Sequence, residues 1–479
     1  MKKVISILLS ISMLLVLCAC GSAQPQTQQT EEAPEAAIAP EAQPEDAAEE
    51  VASAVEAGTV KVTFDLNFEG APEASVIEVP VGGVIPPHNE ENPNSAPATP
   101  TREGYRFAGW DKSADPVLEN GVSTTMWSLD DYYMIWFAEL GPAMGVEEEH
   151  MDLTGDTTLY ARWVEKTVVT TPEELLAMRE DLSGWYELGN DIDLSDTEWI
   201  PVGTYVSHYE YLNPTWWREA FRGELDGAGH TISGLTLNTV SYYDDDASTR
   251  KGIRNGVAAM FAAVADGASI HDLTLDHPVI DVSSDIHYEY IAPLAGMIEG
   301  CDFVNCHVTN MDFKAVISDA ANTDSIANTN GIYASLSGMG CGMWIGSMDN
   351  CSVQGSMDIT LTSKVAHSGS VFIGGVLGDG YNALMNCTSD VFITCRYADT
   401  VEAPFAFNEA MDNGFTIMCG GVAGLSAALI SCPSSGSITI NNSSEAGNAI
   451  VLCEGSYGML LGDPSEALVA SDFNGEIVK

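Results

Sequence analysis

Basic residues are scarce in this chain of 479 residues. It has 18 Lys and Arg against 69 Asp and Glu, which gives a formal net charge of −51 at pH 7. A field of this sign repels nucleic acid and anionic lipid, so direct binding to nucleic acid is excluded. Such a charge keeps a chain soluble and makes it extend away from an anionic cell surface. Diffuse Ca²⁺ binding is the alternative role, and no other cofactor is expected.

Long apolar runs are also scarce. The run from Val4 to Leu17 follows Lys2 and Lys3 and is too short to cross a bilayer as a helix. A short basic segment followed by such a run is typical of a signal peptide. No later stretch of 18 or more residues is continuously apolar, so a spanning helix is not expected.

The apolar run ends in LCACG at residues 17–21. This sequence resembles the lipobox of bacterial lipoproteins, in which a cysteine thiol receives diacylglycerol and the chain is cut just before it. The small residue Ala19 favours cleavage before Cys20, whereas cleavage before Cys18 would follow a bulky residue. The resemblance implies that residues 1–19 are removed and that two acyl chains on Cys20 anchor the protein at the outer face of the cell membrane. An ordinary secretory signal is the alternative.

Catalytic signatures are missing as well. The chain has no His-Glu-x-x-His, no Gly-x-Ser-x-Gly, no Walker loop and no dinucleotide fingerprint after a strand. Asp226 and His230 could act as an acid and a base, but we interpret them as turn residues. The NDID segment at 190–193 could bind Ca²⁺ or end a strand as an Asx turn. The sequence therefore predicts neither catalytic residues nor a metal site, and we expect a protein that is not an enzyme.

The region after the lipobox cannot fold. Residues 21–58 contain no Lys, Arg or aromatic residue and are rich in Gln, Ala, Pro and Glu. Such a segment buries too little apolar surface to form a core. We expect residues 20–58 to form an extended tether, with a stretched reach of roughly 120 Å at ~3.3 Å per residue.

A β pattern follows the tether. Residues 59–66, TVKVTFDL, alternate apolar and polar side chains with the period of a strand. Farther along stand VIEV at 76–79, PTREGYRFAGW at 100–110 and GDTTLYARW at 155–163. In this order the blocks resemble the Listeria-Bacteroides repeat, the internalin B-repeat family of bacterial surface proteins. The resemblance covers residues 59–165 and implies a small β-grasp-like module.

An insertion departs from that family's usual pattern. Residues 111–150 are longer than the corresponding segment of the family, and they are aromatic and acidic. The rings either complete a small core or form an added contact surface. They are Trp127, Tyr132, Tyr133, Trp136 and Phe137.

Beyond the module the chain begins to repeat itself. TPEE at residues 171–174 is a capping box with proline at the first helical position, which predicts a short helix. Later segments share a stretch of small and apolar residues, a turn with Gly or Asp, and the start of a strand. They are residues 260–275, 293–308, 342–355, 374–389 and 420–434. Such units cannot bury an apolar face alone, so they predict a stacked solenoid.

The start of this region carries a second resemblance. NDIDLS at 190–195, WIPVG at 199–203 and FRGELDGAGHTISGL at 221–235 resemble the opening blocks of GLUG-motif proteins. The resemblance is specific for the first hundred residues and looser later. It implies a right-handed parallel β-helix over residues 166–479, so the expected fold class is mostly β, with a β-grasp-like module before the β-helix.

Nine cysteines lie between Cys301 and Cys453. Four of them occupy the same position of successive repeats: Cys306, Cys351, Cys387 and Cys432. We expect them to stack as small buried apolar residues, and disulfides between neighbouring coils are the alternative. Metal binding is not expected, because no Cys-x-x-Cys is present.

An aromatic and acidic set near the start of the repeats is the candidate ligand surface. Rings stack on sugars or fill protein interfaces, and carboxylates accept hydrogen bonds from hydroxyl groups. The same residues could instead cap the open end of the solenoid. They are Tyr209, Tyr211, Trp216, Trp217, Tyr242, Tyr243, Asp244, Asp245, Asp246, Tyr288 and Tyr290.

Taken together, these patterns predict a surface lipoprotein that displays a non-catalytic binding or adhesion solenoid. Its partners are expected to be the membrane, through the lipid, and a glycan or a host or other extracellular protein. Two alternatives stay open. One is an extracellular carbohydrate-active enzyme, either a lyase or a glycoside hydrolase, although the scarcity of Arg and Lys in the repeats disfavours action on uronate polymers. The other is a purely structural stalk.

Overall fold

The computed structural model describes the chain from residue 58 onward, with gaps. The described ranges are 58–83, 85–86, 88–127, 153–204, 219–244, 254–265, 267–286, 288–318, 331–363, 368–380, 383–399, 416–426, 428–442, 450–453 and 476–478. The chain divides into two units, Met1–Gly58 and Thr59–Lys479. The predicted signal peptide, Cys20 and almost all of the tether lie outside the described residues. Within the described ranges no helix is long and apolar enough to cross a membrane.

The second unit begins with seven strands. They are β1 (Thr59–Asp65), β2 (Ser75–Pro80), β3 (Tyr105–Asp111), β4 (Leu118–Glu119), β5 (Val122–Ser123), β6 (Met126–Trp127) and β7 (Thr157–Val169). β1 pairs antiparallel with β2 and parallel with β7, β3 pairs antiparallel with β6 and β7, and β4 pairs with β5. The alternation predicted for β1 is confirmed, because Val60, Val62 and Phe64 are buried.

An aromatic core holds these strands together. The rings of Phe64 and Trp110 meet edge-on with centroids 4.9 Å apart. Trp127 is buried in the same cluster, and the Lys112 ammonium lies 5.3 Å above its ring. Trp127 of the insertion is therefore a core residue. The other four rings of the insertion, Tyr132, Tyr133, Trp136 and Phe137, lie outside the described residues.

β7 belongs to both predicted domains. Its residues up to Glu165 pair with β1 and β3. Its last residues, Lys166–Val169, pair in parallel with β8 (Trp185–Leu188). The predicted boundary between residues 165 and 166 thus falls inside one continuous strand instead of in a linker.

A short helix follows β7, as the capping box predicts. α1 spans Pro172–Leu176, and a 3-10 turn continues over Ala177–Glu180. The backbone N–H of Glu174 donates to Thr171 Oγ1, and the backbone N–H of Thr171 donates to Glu174 Oε2, both at 3.2 Å. Leu175 is fully buried in the main apolar core, so the helix is fixed by its cap and by its packing.

The remaining strands lie in three sheets. The first sheet continues from β7 through β8, β10 (Glu224–Asp226), β16 (Ser269–His271), β20 (Ala295–Val304), β23 (Gly340–Asp349), β26 (Ala383–Met385) and β29 (Ala428–Ile430), with β15 (Phe261–Val264) beside β20. The second contains β9 (Ile192–Asp193), β11 (Thr231–Ser233), β12 (Thr236–Leu237), β17 (Thr274–Asp276), β18 (Val279–Ser284), β21 (His307–Ser318), β24 (Ser352–Ser363), β27 (Thr388–Asp399), β30 (Ser434–Asn442) and β32 (Glu476–Val478). The third contains β13 (Ser241–Asp244), β14 (Arg254–Ala258), β19 (Tyr288–Ile291), β22 (Gly331–Ser337), β25 (Ser368–Gly374), β28 (Thr416–Gly420) and β31 (Ile450–Cys453).

From β13 on, the chain visits these sheets in a repeating order. One or two strands of the third sheet lead to the first sheet, then to the second, and back to the third. Strands pair in parallel with those one circuit later, while β13 and β14 form an antiparallel pair. The prediction of a mostly β fold with parallel sheets is confirmed.

A continuous apolar row shows how successive circuits share one core. Inward residues of the first sheet lie opposite one another from strand to strand, and each is at most 3% exposed. They are Leu225, Ile270, Phe303, Met348, Leu384 and Leu429. Because side chains alternate along a strand, the residues on either side of this row point outward.

The four repeat cysteines form a second buried row, at the bend from the first to the second sheet. Cys306, Cys351, Cys387 and Cys432 are each at most 1% exposed. Each Sγ lies 3.4–3.5 Å from a backbone carbonyl oxygen of the preceding circuit. Eight of the described cysteines, including these four, form no disulfide. The prediction of a buried row is confirmed, and no disulfide joins these four residues.

The residue before each of these cysteines has a left-handed backbone. The φ angles are 56° at Asn305, 54° at Asn350, 54° at Asn386 and 55° at Ser431. Asparagine tolerates this region better than most residues, because its short amide can hydrogen-bond locally. The Asn350 amide donates from Nδ2 to Asn305 Oδ1 at 3.0 Å, so side chains as well as backbones link neighbouring bends.

The bend from the third sheet back to the first is built from small residues. A Cβ at Gly375 would lie 2.0 Å from the Gly421 carbonyl oxygen, and one at Gly378 would lie 2.0 Å from Ser335 Oγ. Neighbouring circuits therefore approach too closely for larger residues. A second apolar cluster, separate from the main core, contains residues of this bend and Tyr290.

Candidate charged site on the first sheet

Charged side chains of two adjacent strands meet on the first sheet. β10 and β16 pair in parallel with Asp226 opposite His271. The residue between Glu224 and Asp226, like the one before His271, is buried, so these three side chains point outward by alternation. Asp272 follows at the bend, with a φ of 53°. Glu224, Asp226, His271 and Asp272 are called the His271 cluster below.

The imidazole lies at the centre of the cluster. His271 Nδ1 is 2.9 Å from Asp272 Oδ2 and 3.5 Å from Asp226 Oδ1, and Nε2 is 3.5 Å from Glu224 Oε1. The four side chains are only 24–46% exposed. Three carboxylates thus surround one imidazole on a partly shielded outer surface.

This arrangement favours a protonated imidazole. Hydrogen bonding to Glu224 raises the pKa of His271 to about 9; hydrogen bonding to Asp272 adds to this, and burial opposes it. The bond from His271 in turn lowers the pKa of Glu224. The pKa of Asp272 is lowered chiefly by the amide of Asn305 and then by His271. At neutral pH the cluster therefore contains an imidazolium beside the ionised carboxylates of Glu224 and Asp272.

A cation from the N-terminal strands supports this arrangement. Arg106 of β3 places Nε 3.4 Å from Glu224 Oε2. Its Nη2 donates to the carbonyl oxygens of Arg222 at 3.1 Å and Gly267 at 2.5 Å. The Arg106 side chain therefore fixes Glu224 from a strand that is more than a hundred residues earlier in the chain.

Two further hydrogen bonds orient the aspartates. The backbone N–H of Ala228 donates to Asp226 Oδ1 at 2.7 Å. The Asn305 amide donates from Nδ2 to Asp272 Oδ1 at 2.5 Å. Such supporting contacts hold acceptor oxygens in place before a ligand arrives.

The cluster can accept a cation or hydrogen-bond donors. One ligand atom each from Asp226, His271 and Asp272 lie within 4.8 Å of one another. An imidazole and two carboxylates suit divalent transition metals, which have to displace the imidazolium proton. In the protonated state the ionised carboxylates accept hydrogen bonds from hydroxyl groups.

Asp226 and His230, the acid and base considered from the sequence, lie in two different places. Asp226 belongs to the His271 cluster, whereas His230 Nδ1 lies 3.2 Å from Asp191 Oδ1 in the neighbouring turn. Asp191 also accepts from the Thr231 backbone N–H at 2.9 Å. Asp226 therefore contacts the imidazole of His271, whereas His230 contacts the carboxylate of Asp191, so the two residues have different partners.

The NDID segment uses its polar groups within the turns. Asn190 donates from Nδ2 to the carbonyl oxygens of Thr170 and Asp191. Asp193 Oδ1 accepts from the backbone N–H of Ser195 at 2.9 Å, which is the Asx-turn geometry predicted as the alternative to Ca²⁺ binding.

Only part of the predicted ligand surface falls in the described ranges. Tyr209, Tyr211, Trp216, Trp217, Asp245 and Asp246 lie outside them, and Tyr242, Tyr243 and Asp244 belong to β13. Tyr290 is 3% exposed and Tyr288 is half-buried. Their ring centroids lie 6.1 and 5.2 Å from that of Tyr333. Tyr290 packs inside an apolar cluster, so its ring is not an exposed stacking platform, contrary to the prediction.

His271 and Asp272 were missed by sequence reasoning. The segment SIHDLTL carried a usable signal, because its polar His stands at an outward position after the apolar Ile270. What the sequence does not display is the register that sets Asp226 opposite His271, 45 positions later in the chain.

Comparison with known proteins gives few matches. No family model matches the chain, and no curated protein does. One similar solved structure, from Bacteroides ovatus, is assigned as an immunoglobulin A1 protease; it has 12% identity and a TM-score of 0.30, with 66% of this chain and 84% of that chain covered. Another is titled IgA1 Protease, with 15% identity and a TM-score of 0.35. That match covers 67% of this chain but only 21% of the other.

These matches correct one prediction. Both similar structures are named for an enzyme, which contradicts the expectation that this chain is not an enzyme, and that expectation is withdrawn. With TM-scores of 0.30 and 0.35, the likeness carries no argument that this chain is a protease.

Replacing His271 by Gln should make the free energy of unfolding less dependent on pH. In the folded chain the pKa of His271 lies above its ordinary value of 6.5. Its contribution to the free energy of unfolding is therefore complete below pH 6.5 and disappears as the pH rises through about 9. We expect His271→Gln to lower the free energy of unfolding by about 1–2 kcal/mol at pH 6, because solvent screens part of the interaction, and by little at pH 10, measured by urea unfolding.

The matched control is His230→Gln, which removes an imidazole with a single carboxylate contact. An equal loss of stability in the two variants at pH 6, or a loss for His271→Gln that persists at pH 10, contradicts the assignment of an imidazolium to the His271 cluster.

Proposed function

We propose that the protein is an exported bacterial lipoprotein that binds an extracellular glycan or protein. The lipobox-like sequence at 17–21 supports a diacylglyceryl group on Cys20. Residues 20–58 then serve as a tether that holds the second unit away from the outer face of the membrane.

We also propose a finer fold. Residues 59–165 form a β-grasp-like module related to the Listeria-Bacteroides repeat, and residues 166–479 form a right-handed parallel β-helix related to GLUG-motif proteins. The repeating order of the three sheets and the parallel pairing of successive circuits support the second assignment. The antiparallel and parallel pairs around β1 and β7 support the first.

The His271 cluster is the observation that carries the binding proposal. Its acceptor oxygens lie on an outer face, are partly exposed, and are oriented by Arg106, Asn305 and the Ala228 backbone. The lowered pKa values of Glu224 and Asp272 keep their carboxylates ionised. A preorganised set of acceptors suits a ligand rich in hydroxyl groups.

The double variant Asp226→Asn with Asp272→Asn should weaken ligand binding at least about tenfold, through loss of charge-assisted hydrogen bonds. Glycan arrays and pull-downs with the 59–479 unit identify the ligand, and titration of that ligand measures the change. Asp358→Asn is the matched control, because Asp358 pairs with Arg396 on another sheet.

Equal weakening by Asp358→Asn contradicts a role for the His271 cluster. A different result would place the ligand on the aromatic surface predicted from the sequence. In that case the double variant Trp216→Ala with Trp217→Ala loses binding, while the double Asp variant binds fully.

A carbohydrate-active enzyme is the second candidate. The observation that favours it is an imidazolium adjacent to three carboxylates on one outer face. With a pKa of about 9, His271 has a proton to donate at neutral pH, and the ionised carboxylates can accept one. An acid beside a base is what cleavage of a glycosidic bond requires.

If the cluster is catalytic, His271→Gln should reduce the release of new sugar ends at least about 100-fold. Activity of the unmodified protein should fall on the alkaline side as His271 loses its proton near pH 9. Saturable binding to the same glycan with no product, or an unchanged rate in His271→Gln, excludes this candidate.

The proposed anchor is tested by Cys20→Ser. This change removes the thiol that accepts the lipid, so metabolic labelling with radioactive palmitate should disappear and the protein should leave the membrane fraction. Cys18→Ser is the matched control and should keep both the label and the membrane location. Labelling that depends on Cys18 instead contradicts the assignment of Cys20.

A further inference from the structure

A carboxyl group is buried inside the third sheet. Glu289 of β19 is 0% exposed and lies opposite Gly256 of β14 and Ala334 of β22. Ala334 is itself fully buried in the main apolar core. A side chain at the position of Gly256 would meet Ile286 and Val240, so the surroundings of Glu289 are apolar on both neighbouring circuits.

The carboxyl group has little polar compensation. The backbone N–H of Ile286 donates to Glu289 Oε1 at 3.3 Å, and Oε2 has no hydrogen-bond partner. The nearby Ser284 side chain and the Ile286 N–H both lower the pKa of Glu289, but burial outweighs them. Asp285, in the turn before β19, acts on Glu289 with the same sign of charge. The facing positions on β14 and β22 are Gly256 and Ala334, which carry no charge. Within the described residues, the charge that acts on Glu289 is therefore negative.

Such a site tolerates the neutral acid and disfavours the anion. An unpaired carboxylate in an apolar interior loses its hydration without a replacement, whereas the protonated group loses much less. Burial accordingly raises the pKa of Glu289 to about 8. Packing of the third sheet and protonation of Glu289 are thus thermodynamically linked.

We propose that Glu289 is a proton-dependent latch on the third sheet. β14, β19 and β22 pack closely around the neutral carboxyl group, and this region opens to water when the external medium turns alkaline. Tyr288 and Tyr290 flank Glu289 in β19, so opening exposes rings that are half-buried and buried in the closed sheet. The latch does not depend on which ligand the His271 cluster takes.

Hydrogen exchange of the full chain, corrected for the intrinsic pH dependence of amide exchange, measures this opening directly. The linkage predicts an opening constant for β19 that rises roughly 30-fold between pH 6.5 and pH 9. Glu289→Gln keeps the shape but cannot ionise, so its opening constant should stay within about threefold over the same range. Glu289→Leu should be equally insensitive to pH, whatever its overall stability.

The control variant is Glu187→Gln, which removes a partly exposed carboxylate on the first sheet and should retain the wild-type pH response of β19. His271 also titrates in this range, but it lies on the first sheet and is present in every variant. A β19 response in Glu289→Gln that matches the wild type, or a wild-type β19 that exchanges equally at both pH values, overturns the proposal.

Discussion

Strands of the second unit hydrogen-bond to the strand one circuit later, and that parallel pairing determines where side chains lie. Residues in register stack on the same face, so the inward row that contains Leu225, Ile270 and Phe303 requires outward rows beside it. Asp226 and His271 are members of one such row. The juxtaposition of a carboxylate and an imidazole is thus a consequence of the same register that buries the core.

Three cationic side chains meet carboxylates on one part of the first sheet. Arg106 reaches Glu224, Lys166 lies 2.5 Å from Glu187, and His271 contacts three carboxylates, all on neighbouring strands of the first sheet. These cations hold together carboxylates that would otherwise repel one another at short range, in a chain that has only 18 Lys and Arg.

Two groups in different sheets hold protons above neutral pH for opposite reasons. His271 keeps its proton because carboxylates stabilise the cation, whereas Glu289 keeps its proton because burial disfavours the anion. Both effects weaken the folded state as the pH rises. In a chain with a formal charge of −51, removal of either proton adds to an already large negative charge.

Local patterns in the sequence were sufficient to predict local structure. The alternation in β1, the capping box at Thr171 and the buried cysteine row at Cys306 and its equivalents are all confirmed, because each depends on periodicity or on contacts within a few residues or repeats. The fold class was correct at the level of a mostly β chain with parallel sheets.

Features that depend on distant pairing were not accessible in this way. The continuation of β7 into the second group of strands, the burial of Tyr290 and the meeting of Asp226 with His271 each require the register between segments separated by long loops. Glu289 was also overlooked, because an acidic residue between two tyrosines gives no sign from sequence alone that its position faces the core.

The shared strand β7 has a mechanical meaning. A linker between two modules would let them rotate about a few flexible bonds, whereas here rotation would break the backbone hydrogen bonds that Lys166–Val169 make with β8. The contacts of Arg106 with Glu224 and with the Gly267 carbonyl oxygen brace the same junction from the side. A pull applied at Thr59 is therefore transmitted as shear into the first sheet, and the N-terminal strands act as a rigid arm instead of a hinge.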